Sequence, residues 1–278
     1  MMFWTRLLSG IMLIILAVLT INAGGAVCLA TMFLISAIGL GELFRAFGIR
    51  EKISGKNKNA AAVTGYIFCA LYYAMIYFFE LDYVWLFAVV FLIVLLFIMV
   101  VSYPAYKAEK IGMSFFSFFY VVVPISFIYL TADTLENGKI LVWLIFLCSW
   151  GADTCAYCVG MLTAKTIGNH KMTPRLSPKK SFEGAAGGII GAFLLGLIFA
   201  SIVNAIGKAS HPSFLYGLIC AAGAFISMFG DLAASAIKRE YEIKDYGRLI
   251  PGHGGIMDRF DSVIITAPII YYLALLIL

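Results

Sequence analysis

Charge is what this sequence has least of. Only 13% of its 278 residues are Asp, Glu, Lys or Arg, where a soluble domain carries about a quarter. The chain is 63% hydrophobic, with a mean hydropathy of +0.98. A water-soluble fold of this length cannot hide so much apolar surface. The cysteines lack the partners that would make them a framework. Cys155 and Cys158 have C-x-x-C spacing, but no second cysteine pair and no suitably spaced histidine pair completes a zinc site, and both fall inside an apolar helix candidate. Cys28, Cys69, Cys148 and Cys220 lie in apolar runs, where cysteine packs as a small hydrophobe. Internal repeats and low-complexity tracts are missing too, which tells against an inverted-repeat transporter. No removable signal peptide is expected, because the first apolar stretch lacks a small-residue cleavage site and runs on into a second hydrophobic segment.

What the sequence has in their place is a series of apolar runs. Nine reach or approach the roughly 20 residues that cross a hydrocarbon core: 7–22, 26–44, 60–79, 83–101, 115–131, 138–162, 184–206, 213–235 and 260–277. The expected fold is an all-α integral membrane protein, one polytopic domain over 1–278. Its N-terminal helices occupy 1–135, and its chemistry-bearing half occupies 136–278. Asn22-Ala23-Gly24-Gly25 reads as a tight turn after the first span. Pro268 interrupts the last span and is tolerated there as a kink. Gly184, Gly187, Gly188, Gly191 and Gly196 predict close helix–helix approach in the seventh.

The positive-inside rule tests this layout. With the N-terminus in the cytoplasm, the inside segments hold Arg6; Arg45, Arg50, Lys52, Lys56 and Lys58; Lys107 and Lys110; Lys165, Lys171, Arg175, Lys179 and Lys180; and Lys238, Arg239, Lys244, Arg248 and Arg259. Only Lys139 and Lys208 of the 20 basic residues fall outside. The expected orientation is therefore N-terminus in and C-terminus out.

Two cytoplasmic segments, 163–183 and 235–261, concentrate the polar residues, and both adjoin spans with acidic residues at or near membrane depth. A carboxylate at mid-span costs about 2.5–3.5 kcal/mol on insertion scales and is a functional candidate by default. Asp153 is one such residue. On a helix Asp231, Ser235 and Lys238 share a face, an arrangement suited to a cation plus a phosphate; the plainer alternative is an acidic turn with a snorkelling lysine. Downstream run Lys244-Asp245 and then Pro251-Gly252-His253-Gly254-Gly255-Ile256-Met257-Asp258-Arg259-Phe260-Asp261. The glycines admit close approach of backbone N–H groups to a ligand, just ahead of a helix N-terminus. Asp258 and Asp261, three apart, share a face of its first turn. They either complement the helix dipole or supply the hard oxygen ligands that Mg²⁺ takes. Ser177-Pro178-Lys179-Lys180-Ser181 before the seventh span makes a phosphate cradle, with Ser181 alternatively a helix cap and the lysines alternatively holders of anionic lipid headgroups.

These residues together resemble the phosphatidate cytidylyltransferases, also called CDP-diacylglycerol synthases. The family's Ser-x-x-Lys-Arg, four residues, Lys-Asp, then Pro-Gly-His-Gly-Gly-x-x-Asp-Arg-x-Asp is met from Ser235, Lys238 and Arg239 through Lys244-Asp245 to Pro251–Asp261 without a missing position. Asp153, Ala156-Tyr157 and Ser177-Pro178-Lys179-Lys180 are similar to further family elements. The departures are a longer spacer, Met161 to Asn169, and Ser181 where the family often has Thr.

The resemblance implies attack of a lipid phosphate, phosphatidic acid, on the α-phosphorus of CTP. It implies Mg²⁺ on Asp231, Asp258 and Asp261, with room for a second cation. Lys238, Asp245 and His253 join these three as catalytic residues. Asp153, Ser177, Lys179, Lys180, Ser235, Arg239 and Arg259 are expected around CTP or the lipid phosphate. The expected setting is a bacterial plasma membrane, with the active site facing the cytoplasm and membrane lipid around the spans. No nucleic acid is expected as partner, and a homodimer is compatible with the pattern. Two other classes compete: a CTP-dependent polyprenol or phytol kinase, which would need a base for its alcohol, and a cation transporter.

Overall fold

The structure is a computed structural model. It describes residues 2–49, 59–104, 106–166, 168, 170–207, 211–252 and 254–278, with residues 2–8 described by backbone alone. Helices follow the apolar runs. In order they are α1 (Met2–Ala23), α2 (Gly25–Ala46), α3 (Ala60–Phe79), α4 (Val84–Val101), α5 (Ala108–Ser117), α6 (Val123–Thr134), α7 (Gly138–Phe146), α8 (Ala152–Thr166), α9 (Phe182–Ala205), α10 (Ser213–Glu240) and α11 (Met257–Ile277). A π-helical turn, Phe118–Val122, joins α5 to α6, and a second, Leu147–Gly151, joins α7 to α8. Two short strands, β1 (Lys171–Thr173) and β2 (Ser177–Ser181), form an antiparallel hairpin that hydropathy does not predict.

Among the described residues eight helical stretches are long and apolar enough to cross a membrane, and Ser9–Ala23 of α1 adds a shorter apolar one. They follow the expected apolar runs in order, in an all-α membrane protein, with the first run shorter than a crossing. The edges differ where polar residues carry a helix past its apolar run. The fifth starts at Ala108, α10 continues to Glu240 and α11 starts at Met257. The spacer that looks long in sequence continues α8 as far as Thr166. Pro268 lies inside an uninterrupted α11.

The chain divides into two compact units, Met1–Tyr129 with Ile243–Asp258, and Leu130–Glu242 with Arg259–Leu278. In the first, Gly24 and Gly25 turn α1 into α2 with φ of 63° and 46°, a conformation glycine adopts without strain. Its core is aromatic. Phe118 lies 4.7 Å from Phe91 and 5.7 Å from Tyr72 between ring centroids. Buried hydroxyls pair with each other, Tyr72 with Ser126 at 3.0 Å and Tyr73 with Ser36 at 2.7 Å, which removes the cost of leaving them dry and unbonded.

In the second unit glycine sets the spacing of the helices. A Cβ on Gly184 or Gly188 would stand 3.0 or 3.1 Å from the carbonyl oxygens of Ala156 or Ala152, so α8 and α9 meet almost backbone to backbone. Gly196 brings α9 equally close to the Tyr216 carbonyl of α10. Small residues at such crossings are how membrane helices gain packing without a hydrophobic driving force.

Candidate active site

The hairpin is the element that brings cations to the second unit's site. Its strands pair Lys171 with Ser181 and Thr173 with Ser177 around a turn at 174–176. Glu183, in the first turn of α9, fastens its base. The Glu183 carboxylate accepts the His170 backbone N–H at 3.1–3.2 Å and meets the His170 ring at 2.5 Å. Ser181 ends β2 and caps α9, its Oγ accepting the Gly184 N–H at 3.1 Å. The capping alternative read from sequence is thus present, and Ser181 also lines the cavity described next.

Within this unit a cavity of about 640 Å³ lies among α8, the hairpin, α9 and α10. Its lining includes the polar Asp153, Ser177, Lys179, Lys180 and Asp231 and the apolar or aromatic Tyr157, Met161 and Met172. Lys180 is the pivot, with its Nζ 2.6 Å from Asp231 Oδ2 and 3.4 Å from the Met228 carbonyl oxygen. The long side chain therefore ties the hairpin to α10.

Around Asp231 stands a group of charges. Ser235, one turn on, donates to Asp231 Oδ1 at 3.5 Å. Asp261 of α11 lies within electrostatic reach of Asp231, Lys238 and Asp153, and its Oδ1 accepts the Ser262 N–H at 2.8 Å. Asp153 bonds the Ser262 side chain and feels Asp231, Lys180 and Arg259. Gly230 makes this assembly fit, since a Cβ there would stand 2.8 Å from the Asp261 carbonyl oxygen. Trp150, in the second π turn, donates its indole N–H to the Arg259 carbonyl oxygen at 3.1 Å. Single π turns recur at functional sites, and this one stands just before Asp153.

The expected residues are thus brought together in part. Asp153, Ser177, Lys179, Lys180, Ser235, Asp231, Lys238, Arg259 and Asp261 all belong to the second unit's cavity or its charge group. Arg239 is exposed on the last turn of α10. Asp245 is exposed in the first unit, and His253 lies outside the described residues. Asp258, expected to pair with Asp261, is 6% exposed and has other partners. Its Oδ2 accepts backbone N–H groups from Tyr246 at 2.8 Å and Gly255 at 3.0 Å, all within the first unit.

Asp231 and Asp261 fit the donor chemistry of Mg²⁺, which takes one or two carboxylates and completes its shell with water and phosphate oxygens. Among the described residues no three His, Cys, Asp or Glu side chains form a ready-made cation cage.

Sequence reasoning passes over Trp150's indole and over Glu42, whose buried carboxylate accepts the Ile256 and Met257 N–H groups in the first unit. Glu42 has a signal, being an acid at the end of an apolar run, but no motif surrounds it.

The profile of the cytidylyltransferase family matches residues 4–277. A phosphatidate cytidylyltransferase of Bacillus subtilis is 40% identical over 138 residues, 48% of this chain and 47% of that one. Its counterpart in Rickettsia felis is 35% identical over 160 residues, covering 56% and 68%. That of Haemophilus influenzae is 38% identical over 138 residues, covering 49% and 46%. These alignments span about half to two thirds of the relatives' length. With the profile running nearly end to end, the chain belongs to the cytidylyltransferase family.

Proposed function

We propose that this protein transfers the cytidylyl group of CTP to phosphatidic acid in the membrane, the activity for which its relatives are named. The observation that carries this reading is the cavity lined by Lys171, Lys179 and Lys180 as well as by apolar side chains, with Lys180 on Asp231 at 2.6 Å. Such a site suits a triphosphate and the headgroup of a lipid together.

The chemistry asks little of a general base. A phosphate monoester has its second pKa at about 6, so the lipid nucleophile is already ionised at neutral pH. One of its oxygens forms a bond to the α-phosphorus of CTP, and the bond to the bridging oxygen of the β-phosphate breaks, releasing pyrophosphate. The protein has to align three anionic centres and offset their charge. Lys179, Lys180, Ser177 and Lys238 hold triphosphate oxygens, Arg259 braces the carboxylates from α11, and Asp153 orients Ser262. Arg239, Asp245 and His253 share the sequence motif with these residues. Mg²⁺, held through Asp231 and Asp261, would neutralise the charge that gathers on the phosphate oxygens. Asp258 we assign to the backbone of its own segment. The active site faces the cytoplasm, a reading supported by the bias of Lys and Arg among the loops.

The test is purified protein in detergent given CTP and phosphatidic acid, with and without Mg²⁺. CDP-diacylglycerol and pyrophosphate should form in equal amounts, and only with the cation. Release of CDP with phosphorylation of an added polyprenol would replace this reading by a lipid kinase.

A further inference from the structure

Glu42 stands on the last turns of α2 with 3% of its surface exposed. A carboxylate so deeply buried is unfavourable unless its lone pairs are filled. Here they are filled by the backbone. Oε1 accepts the Ile256 N–H at 3.1 Å, and Oε2 accepts the Met257 N–H at 2.9 Å. These are amides at the very start of α11, where a helix leaves its first N–H groups without internal partners and presents the positive end of its dipole.

The same carboxylate touches the positions where Cβ atoms would stand on Gly247 and Gly255, so only glycine lets the segment close over it. Asp258 works from the other side, taking the Tyr246 and Gly255 amides. Four backbone N–H groups between Tyr246 and Met257 thus end on two buried carboxylates. One of these carboxylates comes from α2, 214 residues before Ile256 in the chain.

We propose that Glu42 is a positioning residue for the reaction. It fixes the first turn of α11, and with it the register of Arg259 and Asp261 farther along the same helix. The inference rests on the reading of Asp261 as a working carboxylate. It also gives the N-terminal helices a part in the chemistry that their own sequence does not display. An apolar side chain of the same size would fill the space, but only an acceptor with two oxygens holds both amides, and displacement of a reacting group by about an ångström can cost 100-fold in rate.

The test uses the full chain in detergent with Glu42→Gln, Glu42→Met and Glu42→Asp. Two readouts are taken, amide hydrogen exchange and steady-state kinetics. Gln and Met should speed exchange at Ile256 and Met257 while peptides from α9 and α10 exchange as in the wild type. They should lower kcat by roughly tenfold or more and leave KM for CTP within about threefold, since the lysine cradle is untouched. Asp, which keeps both oxygens, should recover part of kcat. Unchanged exchange at Ile256 and Met257, or faster exchange throughout the chain with activity falling in proportion, would overturn the proposal. A wild-type protein that makes no CDP-diacylglycerol would sink the proposed function, and the exchange arm would still judge Glu42.

Discussion

Carboxylates in this protein divide by the groups that surround them. Asp258 gives Oδ2 to two backbone N–H groups in the first unit, whereas Asp261 accepts one amide and stands among Asp231, Asp153 and Lys238. Asp258 holds a loop through one oxygen, while Asp261 lies in the charge group to which the proposed function assigns the cation and its phosphates. Asp261→Asn should therefore lower turnover by about 100-fold or more and raise the Mg²⁺ needed for half-maximal rate, because a hard-cation donor is weakened. Asp258→Asn keeps an acceptor oxygen for both amides and loses only their charge assistance. Its turnover should stay within about tenfold, with the Mg²⁺ dependence unchanged. Initial rate against Mg²⁺ concentration, beside a melting curve for each variant, separates the two. An equal rise in Mg²⁺ requirement for both would return Asp258 to the cation.

At the scale of elements, Gly230 is where two helices meet at the charge group. A Cβ there would stand 2.8 Å from the Asp261 carbonyl oxygen and 3.3 Å from Ser262 Cα. Backbone cannot yield as a flexible side chain does, so Gly230→Ala should cost about 1–3 kcal/mol by overpacking and reduce turnover as α11 moves from α10. Gly112→Ala on α5, with nothing within 4 Å, is the control and should leave both nearly unchanged. Melting temperature and initial rate measure this.

The helices are legible because apolar length is written directly in the sequence, down to the Gly24-Gly25 turn. Their ends are less so. Ala236–Glu240 extends α10 beyond the hydrophobic run, because a helix follows its hydrogen bonds and hydropathy follows its solvent. The hairpin is illegible for a related reason. Lys171–Thr173 and Ser177–Ser181 are too short and too polar for an alternating pattern, and the Glu183–His170 clasp that closes them depends on residues 13 apart. In the site, Lys179, Lys180, Asp153 and Asp231 stand out because charge near membrane depth is rare enough to mark itself. Asp258 and Asp261 look alike from their spacing on one helix, and only their partners distinguish them.

For the whole molecule, the apolar helices and the match to the cytidylyltransferase family are what the proposed activity is built on. The distribution of the basic residues predicts an orientation. A reporter fused after Leu278 should be found on the side away from the cytoplasm, and a cytoplasmic reporter would mean that the number of crossings differs by one. What defines the proposed activity is the bond that is made. CTP labelled at the α-phosphorus and, separately, at the γ-phosphorus is given to the purified protein with phosphatidic acid and Mg²⁺, and the lipid fraction is counted. Cytidylyl transfer puts label in the lipid from the α-position and leaves all of the γ-label in pyrophosphate. Label in the lipid from the γ-position would contradict it.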